Sequence, residues 1–217
     1  MDAGRNVSLQ ATNKDDVTQL SVSAGISGGA AVQIGAAVQV LKSRVAAHVG
    51  TIDDDGATKT VKPGVVNARN GSFKLNAQND TDLDNIGVAV GISGSAAITP
   101  VGVVTYFQGE ADARLREKTA VTAANDIAVI ATGKKDINMV SVGAAAGSMG
   151  ISGTVNVLVS KEKTRAVAES GTKLTTAGGI DIDALNDYKL RSSSAAIAAG
   201  SVGVAVNAVV SVLKSNV

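Results

Sequence analysis

Three adjacent carboxylates are the most concentrated candidate for binding chemistry in this sequence. They are followed by a glycine and flanked by Thr and Val residues, a composition typical of a turn between two strands. Consecutive side chains converge on one cation only where a loop wraps around it. We therefore expect a solvated hairpin or protruding loop over residues 50–62. The candidate partner-binding loop consists of Asp53, Asp54, Asp55, Thr58 and Lys59.

A second acidic cluster, Asp80, Asp82 and Asp84, resembles the start of a calcium loop. An EF-hand loop needs Gly at its sixth position and Glu at its twelfth. Counted from Asp80, those positions hold Asn85 and Gly91. The cluster is therefore interpreted as a turn on a solvated face, and we expect neither a metal nor a cofactor.

Catalysis has little to draw on. His48 is the only histidine and there is no cysteine, so the familiar zinc sites and catalytic dyads are excluded. The densest charged group is Asp112, Arg114, Arg116 and Glu117. Alternation puts Asp112, Arg114 and Arg116 on one solvated face of a strand, where we interpret them as cross-strand or neighbouring charge pairs. With two Phe, two Tyr and no Trp, few rings are available to hold a sugar. We expect no catalytic residue and no enzyme.

The elements that carry these residues come from a repeat. Ala131 and Ala184 lie 53 positions apart within similar segments, whereas Leu9 and Leu75 lie 66 apart, so the first repeat is longer. Self-similarity of this size predicts a stacked array. The chain is one repeat array over 1–217, with repeats at about 7–72 (insertion at 50–62), 73–126, 127–179 and 180–217.

Each repeat alternates with a period of two, which predicts strands and argues against a membrane helix. In the long apolar blocks, Val32, Val38 and Val40 fall on one face, and Gly35 and Ala37 on the other. The second face is small and weakly polar. We therefore expect these strands to pack on one side and to be closely approached, or thinly solvated, on the other.

The sequence thus predicts an all-β fold, a parallel β-solenoid built from ~53-residue repeats. Two coils of about 25 residues per repeat are preferred. The alternative is an array of long antiparallel β-hairpins. Since no capping repeat is evident, we also expect open edges prone to end-to-end self-association.

The balance of charges limits the classes of partner that this chain can bind. Lys and Arg (20) balance Asp and Glu (19), and no basic stripe emerges. This balance argues against nucleic acid. The Ser, Gln and Gly residues of the apolar blocks argue against membrane insertion of this fragment.

The segment IDIDALNDYKLRSSSAAIAAGSVGVAVNAVVSVLKSN, residues 180–216, resembles the Ala/Gly/Val-rich repeats of bacterial autotransporter passengers and filamentous-haemagglutinin-like surface adhesins. The resemblance covers the chain from Val7 to Val217. It implies a β-helical stalk or host-binding surface, located on the bacterial surface or secreted. Its partner would be a host-cell or other bacterial surface protein or glycan. We expect it to bind through the insertion and through the polar residues at the ends of the apolar blocks, Lys42, Gln108, Lys161 and Lys214. The alternatives are a polysaccharide-cleaving β-helix enzyme and a passive spacer or phage shaft.

Overall fold

Strands dominate the fold, as the period-two alternation predicts. The computed structural model describes residues 1–54 and 59–217, and in that part of the chain it contains strands and no helix. Nothing there forms an apolar helix of the length that crosses a membrane. The all-β prediction is confirmed.

The strands follow one another in the same order in each of four coils. The first coil has β1 (Asp2–Ala3), β2 (Val7–Ser27), β3 (Ala30–Val32) and β4 (Gly35–Val49), and then the hairpin strands β5 (Thr51–Asp54) and β6 (Lys59–Lys62). The second has β7 (Val65–Ala68), β8 (Phe73–Ser93) and β9 (Ala96–Leu115). The third has β10 (Ala120–Ala123), β11 (Ile127–Ala146) and β12 (Met149–Ala168). The fourth has β13 (Lys173–Thr176), β14 (Ile180–Ala199) and β15 (Val202–Asn216).

Each strand pairs in parallel with the same strand of the next coil. Val7, Phe73, Ile127 and Ile180 lie in one row, so the chain completes one turn per sequence repeat. The parallel β-solenoid is confirmed. The expectation of two coils per repeat was wrong, because two long strands and one short strand together make a single turn. The antiparallel alternative was wrong as well. Within the described residues, only β5 and β6 pair antiparallel.

Three parallel sheets result. A short sheet contains β1, β7, β10 and β13; a front sheet contains β2, β8, β11 and β14; a back sheet contains β3 with β4, β9, β12 and β15. The front and back sheets pack face to face. At one end, called the wide end, the short sheet closes the third side around a core of large side chains, including Phe73, Leu75, Leu115, Ile127 and Val129. A second core, including Leu83, Phe107, Ile137 and Leu158, lies further along the strands.

At the other end, called the thin end, the two long sheets approach each other closely. A Cβ added to Gly87 of the front sheet would lie 2.8 Å from Val103 Cγ2 of the back sheet. One added to Gly143 would lie 2.5 Å from Ser152 Oγ. Real Cβ atoms do not approach so closely, so only glycine fits at these two positions without a shift of the neighbouring atoms. The thin end finishes at a rim of small turn residues, Gly28–Gly29, Gly94–Ser95, Gly147–Ser148 and Gly200–Ser201.

Candidate functional site

The insertion of the first coil forms the hairpin that the sequence predicts. Thr51 pairs with Lys62 and Asp54 with Lys59, in antiparallel register. Of the candidate loop, Asp55 and Thr58 lie outside the described residues, and for Asp53, Asp54 and Lys59 only the strand pairing is described.

The hairpin leaves the coil at the wide end, at the corner between the back sheet and the short sheet. Gly50 has a φ of +88°, a conformation that side chains other than glycine rarely adopt. The corner of the next coil supports it, since the Arg116 amide donates to the Val49 carbonyl at 3.0 Å. The hairpin is therefore anchored at its base to a hydrogen-bonded corner.

Beside this corner, the outer face of the back sheet carries an ion-pair network across three coils. Glu110 contacts Arg44 at 3.3 Å and Arg165 at 3.0 Å, and Arg165 also reaches Asp112 at 3.6 Å. Arg114 joins the same group through Asp112 at 2.9 Å. The predicted charge pairing of Asp112 and Arg114 is confirmed. Asp112, expected on a solvated face, is instead 2% exposed because the two arginines cover it.

The network continues to Glu169 of the third coil. Arg114 and Arg116 contact its carboxylate at 2.9 and 3.2 Å, and the Glu117 amide donates to it. Although burial acts to raise it, the hydrogen bonds from Arg114 and the Glu117 amide hold the pKa of Glu169 below its ordinary value. These carboxylates are neutralised by arginines and do not form a free acid–base pair.

His48 lies on the same outer face, level with Arg114. It is half-buried rather than exposed, and burial together with the charge of Arg116 lowers its pKa. A neutral imidazole beside cations fits a position that packs against the network.

The second acidic cluster lies within strand β8, on the outer face of the front sheet, so the prediction of a turn was wrong. Asp16, Asp82 and Asp136 occupy successive coils at one level, and Arg191 bonds Asp136 at 2.8 Å. Burial, Asp136 and Asp84 together raise the pKa of Asp82. In the described part of the chain, no group of three or more His, Asp or Glu side chains could hold a metal ion.

Between the two cores, the interior is polar, a feature that was not predicted from the sequence. Lys135 of the front sheet and Glu162 of the back sheet form a buried ion pair at 3.6 Å. Nearby, Asn79 accepts hydrogen bonds from Ser43 at 2.9 Å and Asn13 at 3.3 Å. The ion pair of Lys135 and Glu162 links the front and back sheets between the two cores.

The most unusual surface is the outside of the thin end. Val38 and Val40, which the sequence analysis assigned to the face that packs, point outward and are 60% and 64% exposed. That assignment was wrong: Gly35, Ala37 and Gln39 are the residues that face the interior. The two faces were distinguished correctly, but inside and outside were exchanged.

The outward rows of the back sheet are apolar over six consecutive levels. In the second coil these levels are occupied by Ala96, Ile98, Pro100, Gly102, Val104 and Tyr106. The other coils place Ala, Val, Ile, Met or Gly at the same levels. The outer face of the front sheet is also apolar over four levels, at which the second coil carries Ile86, Val88, Val90 and Ile92; the one exception is Ser193 of the last coil, in the same row as Ile86. We call the thin end with these two outer faces the apolar blade.

Inside the blade, small and polar residues form hydrogen-bonded ladders. Thr99 donates to Ser152 at 3.1 Å and Asn85 donates to Thr105 at 2.9 Å, each with both residues buried. The blade therefore differs from the wide end, because its outer faces are apolar while hydrogen-bonded polar groups lie inside it among small residues and valines such as Val101 and Val103. One signal in the sequence could have found it: residues 17–41, 85–107, 137–160 and 192–213 contain no charged residue.

Comparison with known proteins adds no relative to this geometry. No protein-family model matches the chain, and no curated protein and no solved structure shows significant similarity to it.

Proposed function

We propose that this chain is part of a bacterial cell-surface or secreted adhesin, in which the broad side faces of the solenoid provide the binding surface. The observation that supports the proposal is the shape of the coil. About 53 residues advance the array by only about 4.8 Å, the spacing of neighbouring strands. Strands of about 20 residues extend it sideways by about 65 Å. Most residues of a coil therefore extend the array sideways, and each coil adds little to its length.

This use of residues for width argues against a pure spacer. Coils of about 25 residues would give twice the reach for the same chain length, because each coil adds one strand spacing whatever its circumference. A protein whose role was only to hold a tip domain away from a cell would gain little from such long strands. A broad ribbon, by contrast, offers two long faces and a protruding hairpin to a partner.

Within these faces, we assign the binding of a host-cell or bacterial surface protein or glycan to the part at the wide end. There, the hairpin strands β5 and β6 leave the coil next to the corner at Arg116, and the outer face of the back sheet exposes charged groups, including Arg44 at 67% side-chain exposure. Charged and polar groups set specificity and association rate at interfaces. The blade has no charged group and lies at the opposite end of the strands.

The test compares the chain with a variant in which residues 51–62 are replaced by a two-residue turn. Binding to host cells and to bacterial cells is measured by flow cytometry with labelled protein. We expect saturable binding by the chain and a loss of at least about tenfold in affinity for the variant. Absence of binding by either form would favour the passive spacer.

A polysaccharide panel tests the competing enzyme. Release of reducing ends that is lost on Asp112→Asn or Asp82→Asn would contradict the adhesin. The pairing of Asp112 with two arginines favours the opposite result, no cleavage by any form.

A further inference from the structure

We propose that the apolar blade is a self-association surface, and that two copies of this chain pair through the outer face of the back sheet. The inference does not rest on the adhesin function, because the partner is a second copy whatever the wide end binds.

The size of the face is the first argument. Along the strands, the levels from Ala96 to Tyr106 extend for about 35 Å, and four strands make the face about 19 Å wide. The area is about 650 Å², above the range of the largest apolar patches on ordinary monomers. A pair of such faces buries about 1,300 Å², within the range of specific protein interfaces.

The front face of the blade falls short by the same measure. Its apolar levels, from Ile86 to Ile92, extend for about 23 Å, so two front faces would bury only about 900 Å². Specific interfaces generally exceed about 1,000 Å². The back face is therefore the one that we assign to pairing.

A second copy suits this face better than a lipid bilayer does. Both copies carry the same strand spacing, so the ridges of one face match the grooves of the other throughout, and a lipid surface has no such rows.

Charge determines how the two copies are oriented. Directly beyond the apolar levels, the back face carries a basic row that contains Lys42, Lys161 and Lys214. If both blades pointed the same way, these rows would face each other and repel. If the blades point in opposite directions, each basic row lies beside the uncharged rim of the other copy. A twofold axis parallel to the array gives this arrangement, and the two arrays then run in the same direction.

The experiment is sedimentation velocity over a concentration series of the whole chain, with two matched lysine substitutions on β9. Val104→Lys places a charge within the apolar face, on its fifth level, and Gln108→Lys places the same charge in the basic row further along the strand. We expect a dimer for the wild type and for Gln108→Lys. For Val104→Lys we expect a dissociation constant at least about tenfold higher, because the twofold axis gives each dimer two buried lysines, one from each copy. Circular dichroism spectra and melting temperatures confirm that both variants fold.

Three results would overturn the assignment. Association of Val104→Lys equal to that of the wild type would mean end-to-end stacking. Dissociation by Val142→Lys but not by Val104→Lys would assign pairing to the front face. A wild type that stays monomeric in solution but floats with phosphatidylcholine vesicles would assign the blade to lipid.

Orientation is tested separately, and the lack of native cysteine makes this simple. Chains carrying Ala96→Cys are mixed with chains carrying Tyr106→Cys and oxidised mildly. Opposite blades bring position 96 of one copy near position 106 of the other, so we expect disulfide-linked dimers in the mixture. Cross-linking of Ala96→Cys chains alone, with no disulfide between positions 96 and 106 in the mixture, would mean that the blades point the same way.

Discussion

The wide end and the thin end are built from the same strands, yet they distribute polarity in opposite ways. At the wide end, Phe73 and Leu75 are buried and the charged network lies outside. At the thin end, Thr99 and Ser152 are buried while valines point outward. One half of each coil follows the ordinary arrangement of a water-soluble protein, and the other half exposes its larger apolar side chains and buries small and polar ones.

The difference teaches that stability and surface are supplied by separate parts of one coil. Burial of large side chains drives folding in proportion to the apolar area removed from water, and the wide end buries the larger residues. The thin end buries little apolar area and is held mainly by strand pairing and hydrogen-bonded ladders. Its apolar residues are left free for a partner.

The difference between the two ends is tested most directly by truncating one apolar side chain at each end. Phe73→Ala should lower the free energy of unfolding by about 4 kcal/mol, because it leaves a cavity in the wide core. Val38→Ala on the exposed back face should cost about 0.5 kcal/mol or less. Urea denaturation measures both in dilute solution. Equal costs would contradict the division between a stabilising end and a surface end.

The buried ion pair of Lys135 and Glu162 gives the next largest effect on the free energy of unfolding. Lys135→Met should cost about 3 kcal/mol, because it leaves Glu162 buried without its partner. The double variant Lys135→Met/Glu162→Leu should recover most of that loss, since apolar residues can replace a buried pair. The same denaturation experiment measures both variants. A double variant no more stable than the single one would show that the interior between the two cores must be polar.

Two glycines test how closely the sheets approach. Gly87→Ala should cost about 2 kcal/mol, because the new Cβ would lie 2.8 Å from Val103 and force the sheets apart. Gly102→Ala on the outer face meets no atom within 4 Å and should be neutral or stabilise the chain by about 0.5 kcal/mol. Thermal melting compares them. If both substitutions had the same effect, the interior of the blade would not be tightly packed.

The smallest expected effect concerns pH. The pKa of Asp82 is raised in the folded chain, so its ionisation opposes folding above that pKa and the penalty disappears as pH falls below the ordinary value of 3.8. Asp82→Asn should therefore stabilise the chain by about 0.5 kcal/mol at pH 7 and not at pH 3. Melting temperatures at the two pH values measure this, with Asp183→Asn as a control on the last coil. A gain that persists at pH 3 would contradict the electrostatic cause.

The sequence predicted the periodic parts of this fold well. Alternation such as Phe73, Leu75 and Ala77 against lysine and asparagine identifies a half-buried strand, and the self-similarity identifies a parallel stack. The length of a coil could not be read in the same way, because the turns at the rim contain only small residues that also occur within the strands. Two long strands therefore resembled a longer series of short ones.

Inside and outside of the blade could not be assigned either. The usual rule places the valine face of a strand inward, and only the approach of the second sheet decides otherwise. The partner across the interior lies beyond the rim turn in sequence, as for Gly87 and Val101, and alternation within one strand contains no information on it. Buried contacts between sheets, such as that of Lys135 with Glu162, were missed for the same reason.

The location of the length differences between coils has a consequence for how such genes change. Phe73 and Ile127 are 54 positions apart while Ala96 and Met149 are 53 apart, so a residue has been gained or lost at the rim and not within a strand. The larger insertion also lies at a corner, between Val49 and Val65. A one-residue change within a strand would turn every later side chain of that strand to the opposite face. Natural variants should therefore differ in length at the corners, and those sites are the ones at which foreign peptides can be inserted without loss of the array.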